Sequence, residues 1–136
     1  MPSQTLRIRG ATSELARVRR AVGAWSASAG LSKRAARQMQ TAVDEAVANA
    51  IEHGLADPER GRITVRGETG RTGLTVTVRH RGERFDPTVA PVTLDDARRS
   101  RAVHGYGLHL LQRLVDDLAY EHRRGTNEVR MVKRAG

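Results

Sequence analysis

The sequence contains no cysteine. Disulfides, thiolate nucleophiles and Cys-ligated zinc or iron–sulfur sites are therefore excluded, and any chemistry must come from carboxylates, histidines, amides and the backbone. The sequence also lacks an apolar run near the roughly 18 residues of a membrane span, and its first residues hold no apolar segment of signal-peptide length. We expect a cytoplasmic protein without a membrane partner.

Aromatic residues are scarce as well, with only Trp25, Phe85, Tyr106 and Tyr120. Four scattered rings cannot form the stacking platform on which single-stranded nucleic acid binds, which argues against a nucleic-acid-binding protein. Basic residues, in contrast, are abundant: 24 Lys and Arg face 15 Asp and Glu, for a net charge of +9, and only two of the 24 are lysine. Such a surface predicts salt-sensitive association with an acidic partner.

The hydrophobic pattern predicts the order β-α-α-β-β-loop-α-β-β within one domain, residues 1–136. Thr12 or Ser13 is expected to cap the first helix and Gly30 to end it, while Ser32 caps a second helix that runs to about Glu52. In the remaining segments, apolar and polar residues alternate with the period of a strand, and turns separate these segments. The strands are Thr5–Arg9, Ile63–Gly67, Leu74–Arg79, Leu118–His122 and Val129–Val132, with turns at Gly70–Gly73 and Gly125–Asn127.

Hairpin-connected strands with the helices grouped outside them predict an α/β (α+β) two-layer sandwich. In this fold a mixed, mostly antiparallel sheet is covered on one face by helices. The lack of regular strand–helix alternation argues against a doubly wound parallel sheet.

The second predicted helix carries a polar row formed by Glu45, Asn49 and His53 at intervals of four residues. Apolar rows of Ala and Val beside it are expected to face the sheet, so the polar row lies at the border of the helix–sheet interface. An amide oxygen on Asn49 suits Mg²⁺ shared with phosphate, and Glu45 would be free to act as a base. The alternative is a solvated helix border on which His53 only caps the helix.

A long polar stretch from Gly82 to His104 leads to Gly105-Tyr106-Gly107, which opens a third predicted helix with Leu111, Leu114 and Val115 on its apolar face. Loops of this length inside a compact domain are uncommon and usually functional. Free amides at a helix N-terminus attract phosphate, and glycine allows close approach. The alternative is a flexible entry into the helix. No P-loop motif is present in the sequence.

In combination, these motifs resemble the nucleotide-binding boxes of the GHKL ATPases, and nearly the whole chain is similar to anti-sigma factor serine/threonine kinases of the RsbW type. The first box is Glu45-x-x-x-Asn49-Ala50-x-x-His53, and the second, at 80–84, is followed by Phe85-Asp86-Pro87. The third is Gly105-x-Gly107-Leu108-x-Leu110, and Gly125-Thr126 precedes the last strand.

The resemblance implies a Bergerat-type fold that binds ATP and Mg²⁺, with a nucleotide lid at about 82–107. Glu45 would be the catalytic base and Asn49 the Mg²⁺ ligand. The remaining cofactor-binding residues implied by the boxes are His53, His80, Gly82, Gly105, Gly107, Leu108 and Thr126, of which Thr126 would line the adenine pocket. The implied activity is that of an anti-sigma factor, which binds a sigma factor and phosphorylates a Ser or Thr of a STAS-domain antagonist. Homodimerisation is also implied by the resemblance alone.

The second box departs from the family pattern D-x-G-x-G, because its residues are His80-Arg81-Gly82-Glu83-Arg84. The Asp that accepts the adenine amino group is replaced by His80, which carries no negative charge when neutral, and the second Gly is replaced by Arg84. Two further hypotheses therefore stand beside the kinase: a non-catalytic partner-switching protein of the same fold with a degenerate ATP site, and a basic nucleic-acid-binding module.

Overall fold

The computed structural model of the chain describes residues 2–57, 59–84 and 111–135. Within them the chain forms an antiparallel sheet with the strand order β1-β2-β3-β5-β4. The strands are β1 (Ser3–Arg9), β2 (Arg62–Gly70), β3 (Gly73–Arg81), β4 (Asp117–Arg123) and β5 (Thr126–Arg134). Every pairing between these strands is antiparallel, so the predicted sandwich is confirmed but the sheet is not mixed.

Two helices, α1 (Leu15–Ser28) and α2 (Lys33–Asn49), pack on one face of this sheet. A 3-10 turn (Thr12–Glu14) precedes α1, a π-helical turn (Ala50–Gly54) follows α2, and residues 111–114 are helical. None of the helices within the described residues combines the length and the apolar character that crossing a bilayer requires.

The N-terminus of α1 differs from the prediction. No side chain caps it, because the chain enters α1 through the 3-10 turn, so neither Thr12 nor Ser13 has the predicted capping role. The other two helix signals are confirmed. Gly30 adopts a left-handed φ of +77° after α1, and the Ser32 hydroxyl accepts a hydrogen bond from the Ala35 N–H at 3.0 Å.

The core lies between the helices and the inward face of the sheet. The predicted apolar rows of α2 are buried there, with Ile51 only partly buried, and Leu111 and Val115 join the same cluster. The strands contribute every second residue, as period-two alternation requires. The residues on the opposite face, which we call the outer face of the sheet, are mostly exposed.

The two hairpin turns differ in how well the sequence locates them. Gly70 pairs with Gly73 across a two-residue turn, as predicted. The β4–β5 turn lies at Arg124 and Gly125, whose φ angles are +52° and +76°, as expected for a type I′ hairpin turn. Thr126 and Asn127 therefore belong to β5 and not to the predicted turn.

Candidate functional site

The polar row of α2 runs from a partly buried to a fully buried position. Glu45 is partly buried, with its Oε2 atom inaccessible to solvent, and Asn49, one turn later, is only 2% exposed. The sequence predicts Asn49 at the border of the helix–sheet interface, whereas the structure places it inside the interface. His53 follows in the π-helical turn and is more exposed than Glu45 and Asn49, and its Nε2 lies 3.6 Å from Glu52 Oε2.

A second group of polar side chains lies on the inward face at one end of the sheet. His80 on β3 pairs with Asn127 on β5, which in turn pairs with His122 on β4, so the three side chains lie side by side on the same face. His80 and Asn127 are 5% and 0% exposed. We call His80, Asn127 and His122 the sheet-end row.

The sheet-end row fixes the backbone of the second box. His122 Nε2 donates a hydrogen bond to the Gly82 carbonyl oxygen at 3.0 Å, and Asn127 Nδ2 donates one to the Glu83 carbonyl oxygen at 2.7 Å. The Tyr120 hydroxyl donates to Asn127 Oδ1 and thereby fixes the orientation of this amide. The chain leaving β3 is therefore attached to the β4–β5 hairpin by side chains as well as by the strand ladder.

Close glycine contacts join the second box to the end of the π-helical turn. A Cβ atom on Gly82 would lie 1.5 Å from the Gly54 carbonyl oxygen, and a Cβ atom on Gly54 would lie 2.3 Å from His80 Cε1. Backbone hydrogen bonds connect Gly82 N–H to Gly125 O at 2.9 Å and Ala56 N–H to Arg81 O at 3.0 Å. Gly54 has no left-handed φ, so it is required for this close approach and not for a left-handed helix end.

Arg84, at the position of the second box glycine, lies over the Tyr120 ring, with 5.3 Å between the guanidinium carbon and the ring centroid. Such a cation–π contact stabilises the side chain in one place. The large side chain is accordingly held against the β4 strand.

Thr126 and its neighbour Asn127 lie on opposite faces of the sheet. Thr126 pairs with Arg81 and Arg123 on the outer face, although Thr126 and His80 both line one cavity at this end of the sheet. Asn127 is the inward residue next to His80, and sequence analysis missed it. The period-two pattern running back from the inward residues Met131 and Val129 would have identified it. Three further predicted binding residues, Gly105, Gly107 and Leu108, lie outside the described residues, as does most of the predicted lid.

Burial lowers the pKa of His80 below its ordinary value of 6.5, and the nearby His122 lowers it further by charge repulsion. Backbone groups of Gly54 and Arg81 act in the opposite direction but do not reverse the shift. His80 is therefore a neutral imidazole at pH 7. Its Nδ1 atom is buried, and no hydrogen bond of good geometry from the described residues reaches it.

The lowered pKa of His80 predicts a loss of stability in mild acid. Below pH 6.5 the unfolded chain binds the His80 proton first, so the free energy of unfolding falls, by up to about 1.4 kcal/mol per pH unit, until the folded state is protonated too. Well above pH 6.5 His80 is neutral in both the folded and the unfolded state, so it no longer changes the free energy of unfolding with pH. Urea unfolding from pH 7.5 to 5.0 should show the fall, and a His80→Asn variant should show a smaller one. An NMR titration midpoint for the His80 ring at or above 6.5 would contradict the assignment.

The comparisons with known proteins agree with this architecture. The family model described as the histidine kinase-like ATPase domain matches residues 8–133. Among solved structures, the RsbU and RsbW domains of Rv1364c from Mycobacterium tuberculosis superpose with a TM-score of 0.68 at 20% identity, covering 98% of this chain and 32% of that one. The histidine kinase domain of a blue-light activated kinase from Erythrobacter litoralis gives 0.57 at 16% identity, covering 90% of this chain and 59% of that one. These two likenesses show the fold.

Curated relatives include the serine-protein kinase RsbW of Listeria innocua, 29% identical over 106 residues, which covers 74% of this chain and 68% of the relative. The serine-protein kinase RsbW of Bacillus subtilis is 27% identical over 100 residues, covering 70% and 62%. The relatives and the ATPase-type domain together support a serine/threonine kinase, and the predicted family resemblance is confirmed. The chain belongs to the histidine kinase-like ATPase domain family.

Proposed function

We propose that this protein is an anti-sigma factor with serine/threonine kinase activity: it binds a sigma factor and uses Mg-ATP to phosphorylate a Ser or Thr of a STAS-domain antagonist. The observation that carries the proposal is the position of Glu45 one helical turn before the buried Asn49 on α2, in a domain of the histidine kinase-like ATPase family. The contact between Gly54 and His80 brings the end of this helical segment to the sheet-end row.

The side chains available here fit a nucleotide with its metal. The carboxylate of Glu45 and the amide of Asn49 are hard oxygen donors of the kind that Mg²⁺ prefers, and they are one helical turn apart. Bound Mg²⁺ would neutralise charge on the phosphates, with Asn49 as its protein ligand. At the sheet end, His80 occupies the position at which the family pattern has the residue that contacts the base. We assign the inward position next to it to Asn127 in place of Thr126, because only Asn127 shares the face of His80.

Glu45 is the residue that would orient or deprotonate the hydroxyl of the antagonist. A carboxylate one turn before the proposed metal ligand would lie near a bound phosphate without being needed to hold the metal. In such reactions catalysis consists largely of positioning and charge stabilisation, and a carboxylate that accepts the hydroxyl proton supplies the remaining part. Cytoplasmic location remains a prediction from the sequence, and homodimerisation remains one from the resemblance.

Asn49→Ala is expected to abolish the Mg²⁺-dependent part of ATP binding. The substitution removes the proposed metal ligand from a site that is 2% exposed. Isothermal titration calorimetry with ATP and ADP, each with and without Mg²⁺, measures the effect. The matched control is Asn127→Ala, which removes an amide of equal size on the proposed base side and should weaken ATP binding equally with and without Mg²⁺. Equal Mg²⁺ dependence of wild type and Asn49→Ala would contradict the proposal.

One specific observation favours the non-catalytic alternative: the side chains at positions 80 and 84 differ from the family pattern. His80 is neutral where the family pattern has a carboxylate, and Arg84 occupies a glycine position. A lost charge-assisted hydrogen bond to the base corresponds to roughly 1.5 to 3 kcal/mol, or about one to two decades in affinity.

His80→Asp combined with Arg84→Gly is therefore expected to tighten ATP binding by about tenfold or more, measured by the same calorimetry. A gain that starts from measurable wild-type binding supports the kinase. A gain that starts from no binding at millimolar ATP supports the non-catalytic protein. Unchanged affinity would show that residue 80 does not contact the base.

A further inference from the structure

We propose that one half of the outer face of the sheet is a docking surface for an acidic segment of a partner protein. This half consists of the outward residues of β1, β2 and β3, and we call it the basic half. The helices pack on the other side of the sheet, so a partner on the basic half leaves Glu45 and Asn49 of α2 uncovered. The inference goes beyond the proposed function, because it depends on neither nucleotide binding nor phosphotransfer.

Positive charge is concentrated in this half of the outer face. The residues that alternate with the buried side chains of each strand point outward. On β1, β2 and β3 the charged outward residues are six arginines and one acid: Arg7, Arg9, Arg62, Arg66, Arg79, Arg81 and Glu68. On β4 and β5 they are three arginines and three acids: Arg123, Arg130, Arg134, Asp117, Glu121 and Glu128. The surplus of five positive charges therefore lies in the basic half, and all nine arginines are exposed.

Most arginines of the basic half are not neutralised within the described part of the chain. Arg66 pairs with Glu68 at 3.7 Å, and Arg79 pairs with Glu128 of β5 at 3.2 Å. The remaining four have no carboxylate within salt-bridge distance among the described residues: Arg7, Arg9, Arg62 and Arg81. On β4 and β5 only Arg130 lacks such a partner among those residues. Free guanidinium donors are therefore found mainly in the basic half.

Three of these arginines are neighbours across the strands. Arg9 lies opposite Arg62, and the register that pairs Ile63 with His80 places Arg81 beside Arg62. Adjacent strands are about 4.8 Å apart, and like charges opposite each other on a sheet destabilise it. Carboxylates of a partner that bind between these guanidinium groups would replace the repulsion with attraction, most effectively in bidentate geometry.

The helical side of the molecule has a much smaller surplus of positive charge. Between Thr12 and Gly54, six Lys and Arg face four Asp and Glu. Two of the six, Arg17 and Arg19, pair with carboxylates at 3.3 and 3.2 Å. The charge of the basic half is therefore more than the average basic character of the chain.

A protein segment suits the outer face better than nucleic acid does. None of the outward residues of the five described strands is aromatic, so bases have no ring on which to stack. The three carboxylates on β4 and β5 would repel a phosphate backbone that extends across the face, whereas a folded protein can place its own basic residues against them.

A second copy of the chain does not suit the basic half. Within the described strands, the only aliphatic side chains on the outer face are Ala119 and Val132, so two copies could bury little apolar surface by stacking these faces. The outer face is positive on one half and balanced on the other, and the helical side is weakly positive, so a copy offers no acidic surface in return. Charge complementarity therefore points to a different, acidic protein.

The test is an NMR titration of the whole chain with a decaglutamate peptide, without nucleotide, at about 150 mM salt, where charges more than about 8 Å apart are screened. We expect saturable shifts of the amide signals of Arg7, Arg9 and Thr64. The double variant Arg7→Gln/Arg9→Gln should bind about fivefold more weakly or worse, because two ion pairs to exposed arginines are lost. Absence of saturable binding, or shifts confined to the helices, would overturn the proposal.

The matched control is Arg20→Gln/Arg37→Gln, which removes the same charge from two exposed positions on the helices. It should bind decaglutamate within about twofold of the wild type, whereas equal weakening in both double variants would identify general charge attraction and overturn the proposal. A DNA duplex that binds more tightly than decaglutamate and depends on Arg7 and Arg9 would overturn it in favour of nucleic acid. Shifts of the same amide signals on concentrating the protein alone would overturn it in favour of a second copy. Since no nucleotide is present, none of these results depends on the kinase activity.

Discussion

Gly82→Ala is expected to destabilise the fold more than any other glycine-to-alanine change described here. The new Cβ atom would lie 1.5 Å from the Gly54 carbonyl oxygen and 2.8 Å from the Gly54 carbonyl carbon, and neither atom belongs to a side chain that can rotate away. The backbone must separate at this point. That movement disturbs the Gly82–Gly125 and Ala56–Arg81 hydrogen bonds together. We expect a loss of about 3 kcal/mol in the free energy of unfolding, measured by urea denaturation.

Gly30→Ala is the control for this prediction. Gly30 has a left-handed φ of +77° but nothing within 4 Å of the position of a Cβ atom, so the alanine meets only the intrinsic cost of that conformation, about 1 to 2 kcal/mol. The difference between the two variants therefore isolates the contact with Gly54. Similar losses for Gly82→Ala and Gly30→Ala would contradict the close packing of the second box against the π-helical turn.

The same substitution also separates structure from ligand binding at position 82. The family resemblance treats Gly82 as part of a nucleotide-binding box, yet its contacts with Gly54 and Gly125 are within the protein. If the role of Gly82 is to pack against Gly54, then Gly82→Ala should lower the apparent nucleotide affinity only by the fraction of the protein that is unfolded.

The fold could be predicted from the sequence because its determinants are local. The Ser32 cap, the Gly30 helix end and the Gly70–Gly73 turn each depend on a few neighbouring residues. The buried rows of α2 follow from helical periodicity in the same way.

The site could be predicted only in part, because its geometry depends on contacts between distant segments. In the sequence, Gly54 is typical of a residue at a helix end. Only its contact with the His80 ring in the structure shows why no side chain fits there. The π-helical turn that contains His53 gives no sequence pattern distinct from that of an α-helix. At Thr126 the difference lies in the turn: the turn ends at Gly125 and not at Asn127, so Thr126 and Asn127 are strand residues on opposite faces of the sheet.

Glu45→Gln is expected to lower the rate of phosphotransfer to a STAS-domain antagonist by about 10² to 10⁴, while ATP affinity changes by less than threefold. The amide has nearly the same shape as the carboxylate but cannot accept the hydroxyl proton, and general-base catalysis supplies a factor of this size. Single-turnover transfer of labelled phosphate from ATP measures the rate, and calorimetry measures binding.

Asp44→Asn is the matched control for this substitution, with the same chemical change one residue earlier on α2. The Asp44 carboxylate faces α1, where Oδ1 lies 3.2 Å from Arg19 Nη2, so its loss removes an exposed ion pair and no proposed catalytic group. Transfer by Asp44→Asn should stay within about twofold of the wild type. Transfer by Glu45→Gln at the wild-type rate would remove Glu45 from the mechanism. A parallel loss of ATP binding would instead assign Glu45 to holding the metal beside Asn49, because a general base is not required for the ground-state complex.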